Sequence, residues 1–481
     1  DLISPNPLFG DRDLVVVDEV HELERYLSNA WGYCISPELL DRVVGTAVRR
    51  VPPKLEGPAR LARHLAADAE AVLAGLREPE PGRLTGPLPS RIDGALASLR
   101  THAKELADAF DRMAEGGPAG SASAGSGSSG TQDADRLLAA ARLASRAQLQ
   151  ELNEAIDALR SEDSGMVRWA EVQPERDQGR LWAAPLEVGR RFRRELGDRV
   201  LVATSATASV AGDFEPMAAA LGLDEIDSDQ DDDAPDAVDP GWLGVDVGSP
   251  FDYRQQAILY VPRNFPAPIG RERTDHSAAV LDELTDLVQA AGGRTLALFT
   301  TTAATRRAAG HLRAALRNNG GGPISILEHG ELPAPALTAE FAEDETSVLC
   351  ATMGMWSGLD VAGPACSLVV IDKIPFAPMD DPLSAARRER SDQTGRDGFH
   401  EVYVTRAALM LTQGVGRLIR RRQDRGLVAI LDPRLHTKRY GVALLRSLPP
   451  MWRTSDPAVA RAALSRLVAE NGSTDLPATA S

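Results

Sequence analysis

Short unbroken aliphatic runs punctuate the chain at Leu14–Val17, Val200–Ala203, Thr295–Phe299, 348–351, Leu368–Ile371 and 427–431. Runs of four or five apolar residues without polar alternation predict strands covered on both faces, as in a parallel sheet. Between the later runs lie stretches with helical spacing of apolar positions, among them 277–291 and 303–317. That alternation predicts a doubly wound α/β core. The first two runs break the rhythm, because residues 18–199 separate them. Within that interval 58–77, 91–115 and 132–161 are rich in Ala, Leu and Arg with a helical period, and predict long paired helices. They read as an antiparallel helical module projecting from the sheet, although a plain packing domain fits the same pattern. Residues 116–130, mostly Gly and Ser, predict a flexible linker between two of the helices. Residues 167–171 and 180–185 read as extended segments that return the chain to the core.

Composition changes this picture little. A length of 481 residues accommodates two to four domains, and 43% hydrophobic with 25% charged residues is the balance of a soluble globular protein. No apolar stretch approaches the ~18 residues that span a bilayer, and no signal peptide is visible. Cys34, Cys350 and Cys366 are too far apart in sequence to suggest a disulfide framework, which fits a reducing cytoplasm. Cys350 and Cys366 stand in apolar contexts and read as core residues.

Charge matters more for its distribution than for its total. The net charge of −16 argues against a nucleic-acid binder until its source is located. Residues 212–246 hold twelve acids and no base, and read as a disordered or solvated acidic loop. Residues 417–439 hold eight Lys or Arg against two acids, so a local basic channel is compatible with the acidic total.

The candidate chemistry begins where the first apolar run ends, at Asp18-Glu19-Val20-His21. The carboxyl ends of strands are where an open α/β sheet places its ligands. An Asp there can hold Mg²⁺ on a nucleotide, and the adjacent Glu can orient or deprotonate an attacking water. Taken alone, an Asp-Glu pair after a strand is also an ordinary strand end. Far downstream, Gln413-Gly-Val-Gly-Arg417-Leu-Ile-Arg420 offers two arginines at i, i+3. On a helix they share one face and can supply positive charge to a transferring phosphoryl group; a turn followed by a solvated helix is the plainer reading. None of the four lysines follows a GxxxxGK[ST] loop, so the chain contains no P-loop string. It opens at Asp1 without an initiator Met, and is read as a fragment whose N-terminal ATP-binding part lies upstream. The alternative is a complete protein that never bound ATP.

Further strings stand in order between these two: Ala184-Pro-Leu-Glu-Val188, Leu201-Val-Ala-Thr-Ser205-Ala-Thr207, Ser249-Pro-Phe251, Leu298-Phe-Thr-Thr-Thr302, Trp356-Ser-Gly-Leu-Asp360 and Lys373-Ile-Pro-Phe376. From Leu14 to Leu435 the ordered set resembles the DinG/XPD-like superfamily 2 DNA helicases, the bacterial DinG branch more than the eukaryotic XPD branch. Val20 stands where the family usually has Ala, a change that leaves the carboxylates alone.

The resemblance implies an α/β fold of two RecA-like parallel-sheet motor domains, the first incomplete, with a helical Arch-like insert. Residues 1–24 would belong to the first motor, 25–185 to the insert, and 186–250 to the remainder of the first motor, including acidic loop 212–246. Residues 251–450 would form the second motor, and 451–481 a C-terminal tail. Asp18 would contact Mg²⁺, Glu19 would activate water, and His21 would couple the nucleotide site to neighbouring motifs. Gly358, Asp360, Gln413, Arg417 and Arg420 would meet ATP from the second motor, the arginines acting as a finger. Ser205, Thr207, Thr300, Thr301, Trp356 and Arg421 would face DNA or relay nucleotide state to it. ATP and Mg²⁺ are the implied cofactors. An iron–sulfur cluster would sit in the missing N-terminal part, with no ligands in this chain. The implied activity is ATP-dependent 5′-to-3′ translocation on single-stranded DNA, unwinding forked duplex or R-loop DNA in repair or replication, as a cytoplasmic monomer away from membranes. The fragment by itself would not hydrolyse ATP. A non-catalytic single-strand-binding module and part of a nuclease–helicase fusion are the competing readings.

Overall fold

The computed structural model describes residues 13–77, 81–115, 129–163, 165–173, 178–209, 212–223, 241–317, 324–355 and 363–474. Its strands, in chain order, are β1 (Leu14–Val17), β2 (Tyr33–Ile35), β3 (Gly82–Arg83), β4 (Met166–Gln173), β5 (Gln178–Pro185), β6 (Val200–Ala203) and β7 (Ala257–Tyr260). They continue with β8 (Thr295–Phe299), β9 (Ile326–Glu328), β10 (Val348–Thr352), β11 (Leu368–Ile371), β12 (Gly426–Ile430) and β13 (Trp452–Thr454). The chain divides into two compact units, one of residues 1–21, 196–379 and 390–481, the other of residues 22–195 and 380–389.

In the first unit a seven-stranded sheet runs in the order β13-β7-β12-β11-β8-β10-β9, with every pairing parallel. The uninterrupted apolar runs are explained by what covers them. Leu296, Leu298, Val369, Ile371, Val428 and Ile430 point into one core with helices Ala334–Glu343, Thr405–Val415 and Tyr440–Ser447. Their alternates Ala297, Phe299, Leu368, Val370, Leu427 and Ala429 point into a second core with helices Arg273–Ala291, Thr302–Ala315 and Pro457–Thr474. Period-2 alternation between two covered faces requires an apolar residue at every position. Three strands lie outside the expected runs. β9 and β13 have three residues each and form the two edges of the sheet, too short and too polar to carry a pattern, whereas Ala-Ile-Leu-Tyr of β7 is plainly apolar.

β1 and β6 pair in parallel as a two-stranded ribbon, Leu14 opposite Val200 through Val17 opposite Ala203. Here the expectation of burial on both faces is corrected: Leu14, Val16, Val200 and Val202 are 42–62% exposed, because among the described residues no layer covers that face.

The second unit is built on helices Glu56–Gly75, Ser90–Glu115 and Ser129–Arg160, close to the stretches expected. Ion pairs Asp93–Arg160, Arg100–Asp157 and Asp111–Arg146 descend in register along the last two, which therefore run antiparallel. The linker expected at 116–130 lies outside the described residues except for Ser129 and Gly130, which open the third helix. The acidic loop is likewise described only at its ends, 212–223 and 241–246. The extended segments after the helices do not return to the parallel core. They form the hairpin β4–β5 in an antiparallel sheet of order β2-β5-β4-β3, whose inner face (Ile35, Ala170, Leu181 and Ala183) closes the helical core. Arg387 belongs to this unit, donating from Nε to the Leu186 carbonyl and from Nη2 to Ser28 Oγ, each at 2.9 Å, and pairing with Glu24 at 2.9 Å. No helix among the described residues is long and apolar enough to cross a membrane.

The entry to β8 is the tightest backbone in the parallel unit. Gly292, Gly293 and Arg294 are consecutively left-handed, at φ +61°, +86° and +45°, and a Cβ on Gly293 would stand 2.1 Å from the Thr346 carbonyl oxygen. Gly293→Ala is expected to lower stability by roughly 1–3 kcal/mol, read as a lower denaturation midpoint at unchanged slope. A wild-type midpoint would show that this turn relaxes without consequence.

Candidate active site

The parallel register of β1 and β6 builds the site. Val17 lies opposite Ala203, so the next residues, Asp18 and Thr204, emerge side by side. The ladder continues past both strands, Thr204 N donating to Val17 O at 2.8 Å and Val20 N to Thr204 O at 3.0 Å. Asp18 Oδ1 accepts the Thr204 hydroxyl at 2.8 Å and the Glu19 amide at 2.9 Å. These donors, the threonine foremost, hold the Asp18 carboxyl below its usual range although it is exposed to solvent. An exposed, ionised carboxylate fits a Mg²⁺ ligand. Among the described residues no three His, Cys, Asp or Glu side chains converge as a metal cage.

Glu19 adopts a left-handed backbone, φ +51°, uncommon for a side chain of this kind. Its carboxylate is brought to 3.4 Å from His21 Nδ1 and 3.5 Å from Ser205 Oγ, and the side chain remains 59% exposed. His21 is nearly buried. Nδ1 lies 2.8 Å from Ser205 Oγ, and Nε2 meets the Gln413 side-chain amide from helix Thr405–Val415. With that amide nitrogen as donor, Nε2 accepts and Nδ1–H donates to Ser205. Ser205 Oγ also accepts the Thr207 amide at 3.0 Å. One path of hydrogen bonds thus runs from Gln413 through His21 and Ser205 to the edge of Glu19.

Other expected residues are placed differently. Thr207 is 4% exposed and shapes the turn rather than presenting surface to a strand. Arg417 and Arg420 do not share a helix face, because the helix ends at Val415 and both follow in a turn. Two residues that sequence reasoning missed fix this turn. Asp424 Oδ2 accepts the amides of Arg420 and Arg421 at 2.9 and 2.7 Å, and Gln256 Nε2 donates to the carbonyls of Arg421, Arg422 and Asp424 at 3.0–3.2 Å. Arg421 is exposed. Thr301 is exposed and caps helix Thr302–Ala315, accepting the Ala304 amide at 3.2 Å. Trp356, Gly358 and Asp360 lie outside the described residues. Burial pushes the thiol pKa up to about 11 for Cys34 and to about 12 for Cys350 and Cys366.

Thr300 has both of its donors engaged. Its amide and hydroxyl approach the two oxygens of Asp372 at 3.2 and 3.4 Å, which leaves no proton for a phosphate oxygen. Asp372 was also missed, although it follows β11 as Asp18 follows β1, the same sequence signal. It is 6% exposed, and burial pushes its carboxyl pKa up to about 7. The unfolded carboxyl titrates near ~3.9. Between these values the folded chain keeps a proton that the unfolded chain releases. The resulting stabilisation is present below about pH 4, declines as pH rises, and is lost above about pH 7. Asp372→Asn is therefore expected to flatten the stability profile, removing a decline on the order of 4 kcal/mol across that window, of which about 3 kcal/mol falls between pH 5 and pH 8. Denaturant midpoints at pH 5 and pH 8 measure it, and parallel profiles for both proteins would assign the decline to another group.

Residues 284–451 match the family described as Helicase C-terminal domain. The chain is 41% identical over 308 residues to the ATP-dependent helicase DinG of Mycobacterium tuberculosis, covering 63% of this chain and 43% of that protein. It is 36% identical over 280 residues to the ATP-dependent DNA helicase YoaA of Escherichia coli, covering 58% and 40%. The chain thus spans about two fifths of the length of these curated relatives. Its fold is similar to the solved structure of S. tokodaii Xpd4, with a TM-score of 0.52 at 14% identity over 92% of this chain and 75% of that one.

Proposed function

We propose that this chain, whose sequence and fold are similar to those of the DinG/XPD-like superfamily 2 helicases, supplies the water-activating and arginine-bearing parts of an ATP-dependent DNA helicase. The observation that carries the reading is the hydrogen-bonded path from Gln413 through His21 and Ser205 to Glu19. A binding module needs no such path, whereas a motor must let one part of its fold sense the hydrolytic carboxylate of another. In this reading residues 1–24 and 186–250 belong to the first motor and 25–185 form the insert, while the second motor runs from 251 to 474, because β13 and helix Pro457–Thr474 pack in its sheet and core where a C-terminal tail was expected.

Asp18 holds Mg²⁺, which when bound neutralises charge on the β- and γ-phosphates of ATP. Glu19 orients the attacking water and takes its proton. His21 keeps Ser205 and Gln413 aligned. Arg417 and Arg420 meet the transferring phosphoryl group from the segment after helix Thr405–Val415, whose far end Asp424 and Gln256 hold, and the resemblance alone assigns Gly358 and Asp360 to the ribose. Thr301 and Arg421 contact the tracked strand. The reading extends to 5′-to-3′ movement on single-stranded DNA and unwinding of forked or R-loop substrates in repair or replication. The 481 residues alone, which contain no GxxxxGK[ST] string, are expected not to turn over ATP.

The test uses the whole protein. Glu19→Gln keeps size and leaves Asp18 on the metal, and Arg420→Ala removes charge from the transition state alone. Both are expected to bind ATP yet lose turnover and unwinding, by roughly 10³-fold or more for the arginine. Single-strand affinity without nucleotide should stay near wild type. Unwinding at wild-type rates in both variants would return the chain to the class of binding modules, and wild-type turnover in Arg420→Ala alone would move the finger to Arg417.

A further inference from the structure

Helices Glu56–Gly75 and Ser90–Glu115 lie side by side in the helical unit and share its core, to which Leu65, Val72, Leu96 and Leu106 contribute. Gly75 abuts Ile92 near one end, while His64 meets His102 near the middle, so the two helices run antiparallel. There the ring centroids of His64 and His102 stand 5.0 Å apart with their planes inclined at 55°, so the rings are not stacked face to face. Asp68, one helical turn on from His64, places Oδ2 2.6 Å from His102 Nδ1. A carboxylate only accepts, so Nδ1 carries the proton, and Nε2 of the neutral ring is left with its lone pair. His64 is exposed, and the side chains of His102 and Asp68 are 26% and 19% exposed, so an ion reaches the rings from solvent.

This arrangement has the marks of a metal site. Two imidazoles on one tetrahedral ion, at ~2.0–2.1 Å from metal to nitrogen, hold their centroids about 5 Å apart. A carboxylate on the far nitrogen is what fixes the ring and tautomer of a ligating histidine. A hydrogen bond between the helices would need only Asp68 and His102, and gives no part to His64. Imidazole suits Zn²⁺, Cu²⁺ and Ni²⁺. We propose that His64 and His102 form a binding site for one such divalent transition-metal ion, with Asp68 orienting His102, and that the ion clips the two helices together. Among the described residues no three His, Cys, Asp or Glu side chains converge, so the protein supplies two ligands and water the rest. The site lies apart from Asp18 in sequence and fold, and it does not rest on the reading of the chain as a motor.

The test is isothermal titration of the full chain with Zn²⁺, expected to fill one site per chain. Asp68→Ala keeps both rings and should weaken binding roughly 10–100-fold. His64→Ala or His102→Ala removes a ligand and should weaken it further. Zn²⁺ should also raise the melting midpoint of the wild-type chain and leave those of the two histidine variants unmoved, because only the paired site binds the folded state. Wild-type affinity in both histidine variants, or no Zn²⁺ bound by the wild-type chain, overturns the site. Wild-type affinity in Asp68→Ala overturns its orienting part. Should a variant not fold, Cu²⁺ on the wild-type chain decides: its electron paramagnetic resonance spectrum is expected to carry hyperfine structure from two ring nitrogens. Coupling to one nitrogen or none overturns the pair.

Discussion

The geometry of the candidate site depends on one backbone pairing, the in-register parallel ladder between Leu14–Val17 and Val200–Ala203. It joins segments whose site residues, Asp18 and Thr204, are 186 apart in sequence. A slip of one residue would turn every side chain to the other face and carry the Thr204 hydroxyl away from Asp18. Closing so long an excursion is feasible because loop entropy grows only with the logarithm of length, and the intervening residues fold on themselves. The helical unit has its own core and its own antiparallel sheet, so its fold does not rely on the parallel one for burial.

From that ladder the remaining positions follow. Once Asp18 is tied to Thr204, the turn that follows must bring Val20 N back to Thr204 O, and Glu19 is forced into the left-handed region between them. Such a conformation costs on the order of 1 kcal/mol and persists only where the surroundings over-determine it. Here two ladder bonds and the buried Val20 do so. The same turn delivers His21 to Ser205, and helix Thr405–Val415 delivers Gln413 to the far side of the imidazole. Strain at Glu19 and the placing of His21 are thus two results of one constraint. On the proposed reading both serve hydrolysis, holding a carboxylate exposed beside the imidazole.

Strands whose side chains alternate between two covered faces were legible, because an element with one solvated face would have broken each apolar run with polar residues. Long amphipathic helices were legible from their period. What escaped depends on partners distant in sequence. Thr204 was visible within Ala-Thr-Ser-Ala-Thr, but its role needs the register with β1. Asp424 and Gln256 act on backbone groups, which leave no side-chain pattern. The i, i+3 spacing of Arg417 and Arg420 suggested a helix that Gly414 and Gly416 help to end at Val415. Asp372 was readable by the same rule that singled out Asp18, a carboxylate directly after a buried strand. The two differ in fate because Asp18 leaves the ribbon into solvent, whereas Asp372 leaves β11 beneath Thr300. A strand end marks where a carboxylate will stand, and cover decides what it does.

Arginine usage follows the same logic. With 49 Arg and four Lys, the chain places guanidinium groups both in its interior and on its surface. Inside, two are matched in geometry: Arg434 forks onto the fully buried Asp432, and Arg168 donates to the Leu159 and Gly86 carbonyls at 2.9 Å. A planar fork tolerates burial when its donors are satisfied, which a compact ammonium achieves less readily. These groups are spent on structure and contribute little field outside. The acids are distributed unevenly too, since twelve of the 69 lie in residues 212–246, where no base offsets them. Without that segment the rest of the chain is close to neutral. Net charge describes the whole chain, whereas any one charge is felt only within the ~8–10 Å over which physiological salt leaves it unscreened.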